Sequence, residues 1–333
     1  LSRSGSPLPG CALPLILQRG IEMDAADLFP GFEARWLEAP WGKAFARIGG
    51  PEAAPPLLLL HGFPQSHAMW HRVAPDLARD HRVICLDLKG YGWSAAPDDG
   101  PPHEAYAKRT VGREIVALME RIGHVHFALA GHDRGARVAY RLALDAPGRV
   151  AKLALLDIVP TLVQWERIAA SPGMNPHWSF LAEAAPKPED AIRTGPDAYF
   201  EGLLAQWSGP HDLSPFDRRA LHLYRQAWNV PERIHALCED YRAGGPDGPD
   251  RAADAADLAA GRRLTMPVLV LSSRAYLERG KSETALAVWR RTFAPQAAGS
   301  EIEGGHFLAE EQPAAVLAAL RAFLAGGEPH PPA

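Results

Sequence analysis

A chain of 333 residues, 47% hydrophobic and 22% charged, has the make-up of a globular protein and room for one large α/β core plus an inserted piece. Its formal net charge of −4 gives no general pull toward nucleic acid or an anionic membrane, so any attraction for an anionic substrate must be local. Three scattered cysteines, Cys11, Cys85 and Cys238, do not make a disulfide framework, and no apolar stretch approaches the length of a membrane span.

Residues 1–22 read as an extension outside the fold. Their apolar run around Cys11 is short, broken by Pro14 and preceded by Arg3 as the only charge, a poor signal peptide that fits a reducing, cytoplasmic setting. Continuous apolar runs then mark buried strands of a largely parallel sheet at 57–60, 83–86, 127–130, 153–156 and 268–271, with a further strand near 300–303. Cys85 falls inside one of them and reads as a buried thiol. Helical patterns at 111–122, 136–144, 284–293 and 314–323 alternate with the strands, as in βαβ units with helices on both sheet faces. The alternation stops after Asp157. From about 160 to 263 the sequence is helical, punctuated by proline, and carries Trp165, Trp178, Trp207 and Trp228. An insertion of this kind between two strands of one sheet reads as a cap, which leaves 23–159 and 264–326 as the core and 327–333 as a tail.

The strand at 127–130 runs into Gly131-His132-Asp133-Arg134-Gly135 and then a helix, the setting of the G-x-nucleophile-x-G elbow of the α/β-hydrolase fold. The flanking glycines leave room for a strained turn that lifts the central side chain above the carboxyl ends of the strands. Aspartate at its centre, rather than serine, changes the chemistry. A carboxylate that attacks saturated carbon forms an alkyl ester, which water can open at the aspartyl carbonyl; a serine would leave an ether. Asp133 therefore points to displacement of a halide or an epoxide oxygen. The competing role, a plain helix N-cap, does not account for the partners that follow in order.

His306, in Gly304-Gly305-His306-Phe307, comes late in the chain, as the base of this fold does, and would activate the water that opens the ester. His61-Gly62-Phe63-Pro64 follows the first apolar strand. The Phe63 N–H, with the Arg134 N–H, would hold the oxyanion of that step, while Pro64 has no N–H to give. The strand at 268–271 has no carboxylate after it before Glu278, so Asp157, at the end of the preceding strand, is the better-placed acid to orient His306.

Ala130-Gly131-His132-Asp133-Arg134-Gly135-Ala136-Arg137 resembles the haloacetate and fluoroacetate dehalogenases. The resemblance continues at Leu156-Asp157-Ile158-Val159-Pro160-Thr161, Pro176-His177-Trp178, Cys238-Glu239-Asp240-Tyr241-Arg242-Ala243-Gly244 and Gly305-His306-Phe307-Leu308, and spans about residues 25–325. It implies Asp133 as nucleophile, Asp157 as triad acid, His306 as base, Arg134 and Arg137 as the clamp on the substrate carboxylate, and His177, Trp178 and Tyr241 as the halide pocket. The clamp is physically sound: two guanidiniums three residues apart at a helix N-terminus share a face and match a carboxylate with charge-assisted hydrogen bonds. The three pocket residues each bring an N–H or O–H for a leaving halide. No cofactor and no metal is implied, and relatives point to a homodimer. Two departures stand out: Lys89, where family members often have proline or arginine, and Ser272-Ser273 in place of a Trp-Gly pair. Both read as lying off the main constellation.

Gly90-Tyr91-Gly92-Trp93-Ser94-Ala95 mimics a dinucleotide fingerprint, but Pro97, Pro101 and Pro102 deny it the helix it needs. His67 and His71 are four apart without a third metal ligand. Two other functions remain open on sequence. An epoxide hydrolase would use the same aspartate with Tyr199, Tyr224 or Tyr241 as acids, although such enzymes usually carry tryptophan where Arg134 stands. A non-catalytic receptor on the same fold is expected to lack part of the Asp133–Asp157–His306 set.

Overall fold

Every residue of 57–60 is buried, as a continuous apolar strand covered on both faces must be. It belongs to an eight-stranded sheet, among the described residues, of β1 (Phe32–Ala39), β2 (Gly42–Gly49), β3 (Pro56–Leu60), β4 (Arg82–Leu86), β5 (Phe127–His132), β6 (Val150–Leu156), β7 (Val268–Ser273) and β8 (Ala298–Ile302). The spatial order is β1-β2-β4-β3-β5-β6-β7-β8. From β4 to β8 neighbouring strands are parallel, and β1 and β2 run antiparallel at one edge. This computed structural model describes residues 28–97, 103–171 and 173–326. The expectations for residues 1–22, including Cys11, for the tail 327–333 and for Pro101 and Pro102 lie outside the described residues.

Parallel strands β3 to β7 fall where their apolar runs put them, and β8, expected near 300–303, is a partly buried strand at Ala298–Ile302. The antiparallel hairpin β1–β2 is an addition, because strand β1 alternates exposed and half-buried positions instead of forming an apolar run. Helices α1 (Lys108–Arg121) and α2 (Asp133–Asp145) follow β4 and β5. After β6 the chain enters seven helices, among the described residues: α3 (Thr161–Ala170), α4 (Pro176–Leu181), α5 (Lys187–Arg193), α6 (Pro196–Trp207), α7 (Arg218–Trp228), α8 (Pro231–Ala243) and α9 (Pro249–Ala259). It then returns to β7, α10 (Ala285–Arg291), β8 and α11 (Pro313–Ala325). Among the described residues no helix is long and apolar enough to cross a membrane.

One continuous buried apolar cluster joins sheet and insertion. Phe63, from the turn after β3, packs edge-on against Phe200 of α6 at 5.8 Å and Tyr241 of α8 at 5.0 Å between ring centroids. The inserted helices are thus seated directly on the loops at the carboxyl ends of β3 and β5. No helix opens at Gly90–Ala95. That segment is a turn around Asp87, whose carboxylate accepts from the N–H of His67 at 2.7 Å and of Trp93 at 2.8 Å.

Candidate active site

Strand β5 ends at His132 and α2 begins with Asp133 itself, whose φ of +44° is the left-handed conformation that a side chain other than glycine or asparagine seldom takes. The glycines around it are sterically required. A Cβ on Gly135 would lie 2.3 Å from the carbonyl oxygen of His61, and one on Gly62 2.7 Å from the Asp133 Cβ. The β3 turn and the elbow therefore touch backbone to backbone. The contact delivers the Phe63 N–H to Asp133 Oδ2, donating at 3.0 Å.

His306 Nδ1 donates to Asp157 Oδ2 at 2.6 Å, and its Nε2 lies 3.9 Å from Asp133 Oδ2. Asp157, also at positive φ (+58°), is fixed at both ends: its own N–H donates to Leu271 O at 2.8 Å, and its Oδ1 accepts from Ser273 N–H at 2.6 Å. Ser273 therefore does not lie off the constellation, because its backbone holds the acid. Lys89 does: its ammonium donates to Ala105 O at 2.8 Å and pairs with Glu114 at 3.1 Å. The His306 backbone is pinned by its N–H on Trp207 O and by His132 Nε2 donating to its carbonyl, both at 2.8 Å.

Burial works against a charged imidazole at His306, yet the carboxylates of Asp133 and Asp157 outweigh it and raise the pKa to about 9. Burial likewise pushes the Asp133 carboxyl up, and the His306 imidazolium more than offsets this, holding it well below the usual carboxylate range. At neutral pH the Asp133 carboxyl is ionised. His177 differs. Burial lowers it to about 3, so its ring is neutral and can offer an N–H without a charge.

A small cavity of about 30 Å³ lies over the elbow, bordered by Asp133, Asp157, His306, Arg137, His177 and Trp178 among others. Arg137, only 3% exposed, donates through Nη1 to Val159 O and Thr161 Oγ1 at 3.1 Å, and its guanidinium lies 4.5 Å over the Trp178 ring. It has no ion-pair partner within 4.0 Å among the described residues, and its Nε makes no hydrogen bond. A buried cation whose hydrogen bonds go only to neutral oxygens, with a second cation at Arg134 nearby, is costly unless an anion arrives.

Arg134 stands one layer back. Its Nε pairs with the Asp240 carboxylate and its Nη2 donates to Asp240 O at 2.6 Å, while Nη1 is buried without a partner. Tyr241 lies 4.2 Å under that guanidinium. Neither residue borders the small cavity, nor does the Phe63 side chain. Of the other tyrosines considered for epoxide opening, Tyr224 is turned to Gln65 and Glu310, and Tyr199 lines a separate outer cavity. Tyr276, Asn175, Trp207 and Gln164 border the small cavity without having been singled out on sequence. Trp207 was legible only as one of several insertion tryptophans, and the other three carry no motif. Asp240 sits beside Tyr241 in a recognised segment, but its pairing with Arg134 is a tertiary fact.

Residues 55–311 match the alpha/beta hydrolase fold family. A fluoroacetate dehalogenase from Burkholderia sp. is 41% identical over 298 residues, covering 89% of this chain and 95% of that protein. A soluble epoxide hydrolase from Corynebacterium sp. (strain C12) is 28% identical over 81% of this chain and 90% of its own length. Among solved structures, a mutant of a Pseudomonas aeruginosa protein, called a candidate epoxide hydrolase and carrying bound MFA, superposes with a TM-score of 0.81 at 41% identity, over 89% of this chain and 96% of that one.

Proposed function

The chain belongs to the fluoroacetate dehalogenase family of α/β hydrolases, and from that premise we propose that it hydrolyses short 2-haloacids, haloacetate first, to the hydroxy acid and halide. The substrate carboxylate lies on Arg137, which borders the cavity, and the unpartnered Nη1 of Arg134 supports it from the layer behind, in reach once the cavity widens around the substrate. That grip aims the halogen-bearing carbon at Asp133. One carboxylate oxygen attacks the carbon from behind, and the halide leaves with its bonding pair toward N–H and O–H groups of His177, Trp178 and Tyr241. The oxygen already held by the Phe63 N–H remains as the ester carbonyl.

Esterification removes the charge of Asp133, one of the two carboxylates that keep His306 protonated. The imidazole then releases its proton to solvent, the proton that leaves with the halide in the net reaction, and the neutral ring takes a proton from a water molecule. Hydroxide adds to the aspartyl carbonyl, the oxyanion is held by the N–H groups of Phe63 and Arg134, and collapse releases the hydroxy acid and restores Asp133. Asp157 and the Ser273 N–H keep the ring oriented throughout. The inserted helices act as the cap that keeps bulk water from the ester.

The observation that carries this reading is Arg137: a buried guanidinium on the same cavity as Asp133, with no ion-pair partner within 4.0 Å among the described residues. An epoxide carries no carboxylate to use it. The epoxide relative keeps that reaction in view, but Tyr199 and Tyr224 do not border the small cavity. A receptor would have no use for a nucleophile, base and acid linked in sequence. Ion-selective measurement of halide released from fluoroacetate and chloroacetate, beside turnover of styrene oxide, separates the readings. Halide release with little epoxide turnover is expected; epoxide turnover without halide release overturns the proposal.

A further inference from the structure

The small cavity has an outer neighbour. A second cavity of about 570 Å³ opens between the inserted helices and the loop after β7. The two share four bordering side chains: Asn175, His177, Trp207 and Tyr276. His177 and Trp207 pack against each other at 4.3 Å between ring centroids, tilted by 47°, and form one wall. The other two meet across the opening, where Tyr276 Oη donates to Asn175 Oδ1 at 3.4 Å. Tyr276 belongs to the core loop after β7, and Asn175 immediately precedes α4 of the insertion, so this contact bridges the two layers of the molecule.

We propose that Tyr276 and Asn175 form the neck between the outer cavity and the catalytic cavity, and that this neck sets the size of the acid admitted. The inner cavity, about 30 Å³, holds only a water or two in this closed state, so a substrate enters by parting the neck. A hydroxyl–amide contact of 3.4 Å is long for an O–H···O bond and costs little to open. The aromatic ring behind it is less yielding, because Tyr276 is braced against His306 at 4.7 Å and Trp207 at 6.1 Å. A two-carbon acid slips past a parted latch, whereas an acid branched at its second carbon must also displace the ring. Asn175 suits its place. Its φ of +51° and ψ of +55° are left-handed, a conformation asparagine tolerates better than most side chains.

The identity of the acid rests on the dehalogenase reading; the neck rests on the shared walls of the two cavities. The test is the ratio of kcat/KM for 2-chlorobutanoate to that for chloroacetate, in the wild type and in Tyr276→Ala, Tyr276→Phe and Asn175→Gly. Because Tyr276 touches His306, its loss disturbs the chemistry for both acids, and the ratio cancels that common effect. The glycine variant is compatible with the left-handed backbone and removes the amide with its methylene, so it tests the neck even if the alanine variant does not fold. The ratio is expected to rise at least about tenfold in Tyr276→Ala and Asn175→Gly, the discrimination that one methylene carries in a shaped pocket, through a lower KM for the larger acid. Tyr276→Phe is expected to give a smaller rise. A ratio within about twofold of wild type in folded Asn175→Gly and Tyr276→Ala overturns the neck. If the wild type releases no halide from chloroacetate, the dehalogenase reading fails on its own. The neck is then read on propylene oxide against styrene oxide in the same variants, where the same rise supports it and a flat ratio overturns it.

Discussion

His306 stands between two carboxylates, and that position makes its proton a reporter on the state of the nucleophile. With Asp133 and Asp157 both ionised, the ring is held protonated up to a pKa of about 9 against the effect of burial. Below that value the resting histidine is a cation and cannot act as a base. Neutralising Asp133, as the ester does, removes part of what raises it. In an Asp133→Asn variant, whose amide imitates the neutral ester, the His306 resonance followed by NMR is expected to titrate at lower pH than in the wild type. An unchanged pKa would show that Asp133 does not control the base. Asp133, Asp157 and His306 were legible in sequence because the elbow fixes its glycines and the fold fixes the order of the partners. Trp207, Tyr276 and Asn175 were not, because they reach the site only through the way the inserted helices settle on the core.

Among elements, the junction of β3, β5 and α2 carries the site. Parallel strands β3 to β7 could be read from their apolar runs, since burial on both faces leaves no polar alternation, whereas the edge strand β8 is only partly buried. The edge hairpin β1–β2 could not: β1 is largely exposed or half-buried, and β2, though mostly buried, has exposed Lys43 and buried Arg47 breaking its apolar run. The expected helix at 136–144 starts three residues early, at Asp133, where the strained turn passes straight into α2. The elbow's tolerance is small. A methyl group on Gly135 would press on the carbonyl oxygens of both His61 and Leu60, at 2.3 and 2.6 Å. Neither oxygen can move without dragging β3. Gly135→Ala is expected to lower stability by about 1–3 kcal/mol, read as a lower denaturant midpoint, and to reduce activity further by shifting the Phe63 N–H away from Asp133. Wild-type stability and activity together would mean that the close approach is not needed.

Across the whole molecule, insertion and core are tied by a buried ionic junction at Asp240. Its carboxylate, on α8, takes Arg134 of α2, Lys108 Nζ of α1 at 2.7 Å and the Tyr91 hydroxyl at 3.0 Å. Burial would raise its pKa, but Arg134 and Lys108 prevail and lower it. A carboxylate depressed on folding adds stability above its unfolded pKa and loses it as pH falls through the folded value, so the junction weakens in acid. Asp240→Asn leaves two buried cations short of their counter-charge. A loss of about 3–5 kcal/mol is expected from chemical denaturation at neutral pH, with the gap to wild type narrowing as the medium is acidified. A gap that is small, or constant with pH, would show that the junction is not what holds the two layers together. None of this was legible beforehand: Asp240 was a neighbour of Tyr241 in sequence, and its partners lie 106 and 132 positions away.

The covalent role proposed for Asp133 can be tested without altering a residue. With enzyme in excess over chloroacetate in heavy-oxygen water, a single turnover through the aspartyl ester gives hydroxy acid whose new hydroxyl oxygen comes from Asp133. The product is then unlabelled and the heavy oxygen appears in the Asp133 side chain. Heavy oxygen in the product hydroxyl on that first turnover, with the Asp133 peptide unlabelled, would mean that water attacks the substrate directly and that Asp133 never bonds to it.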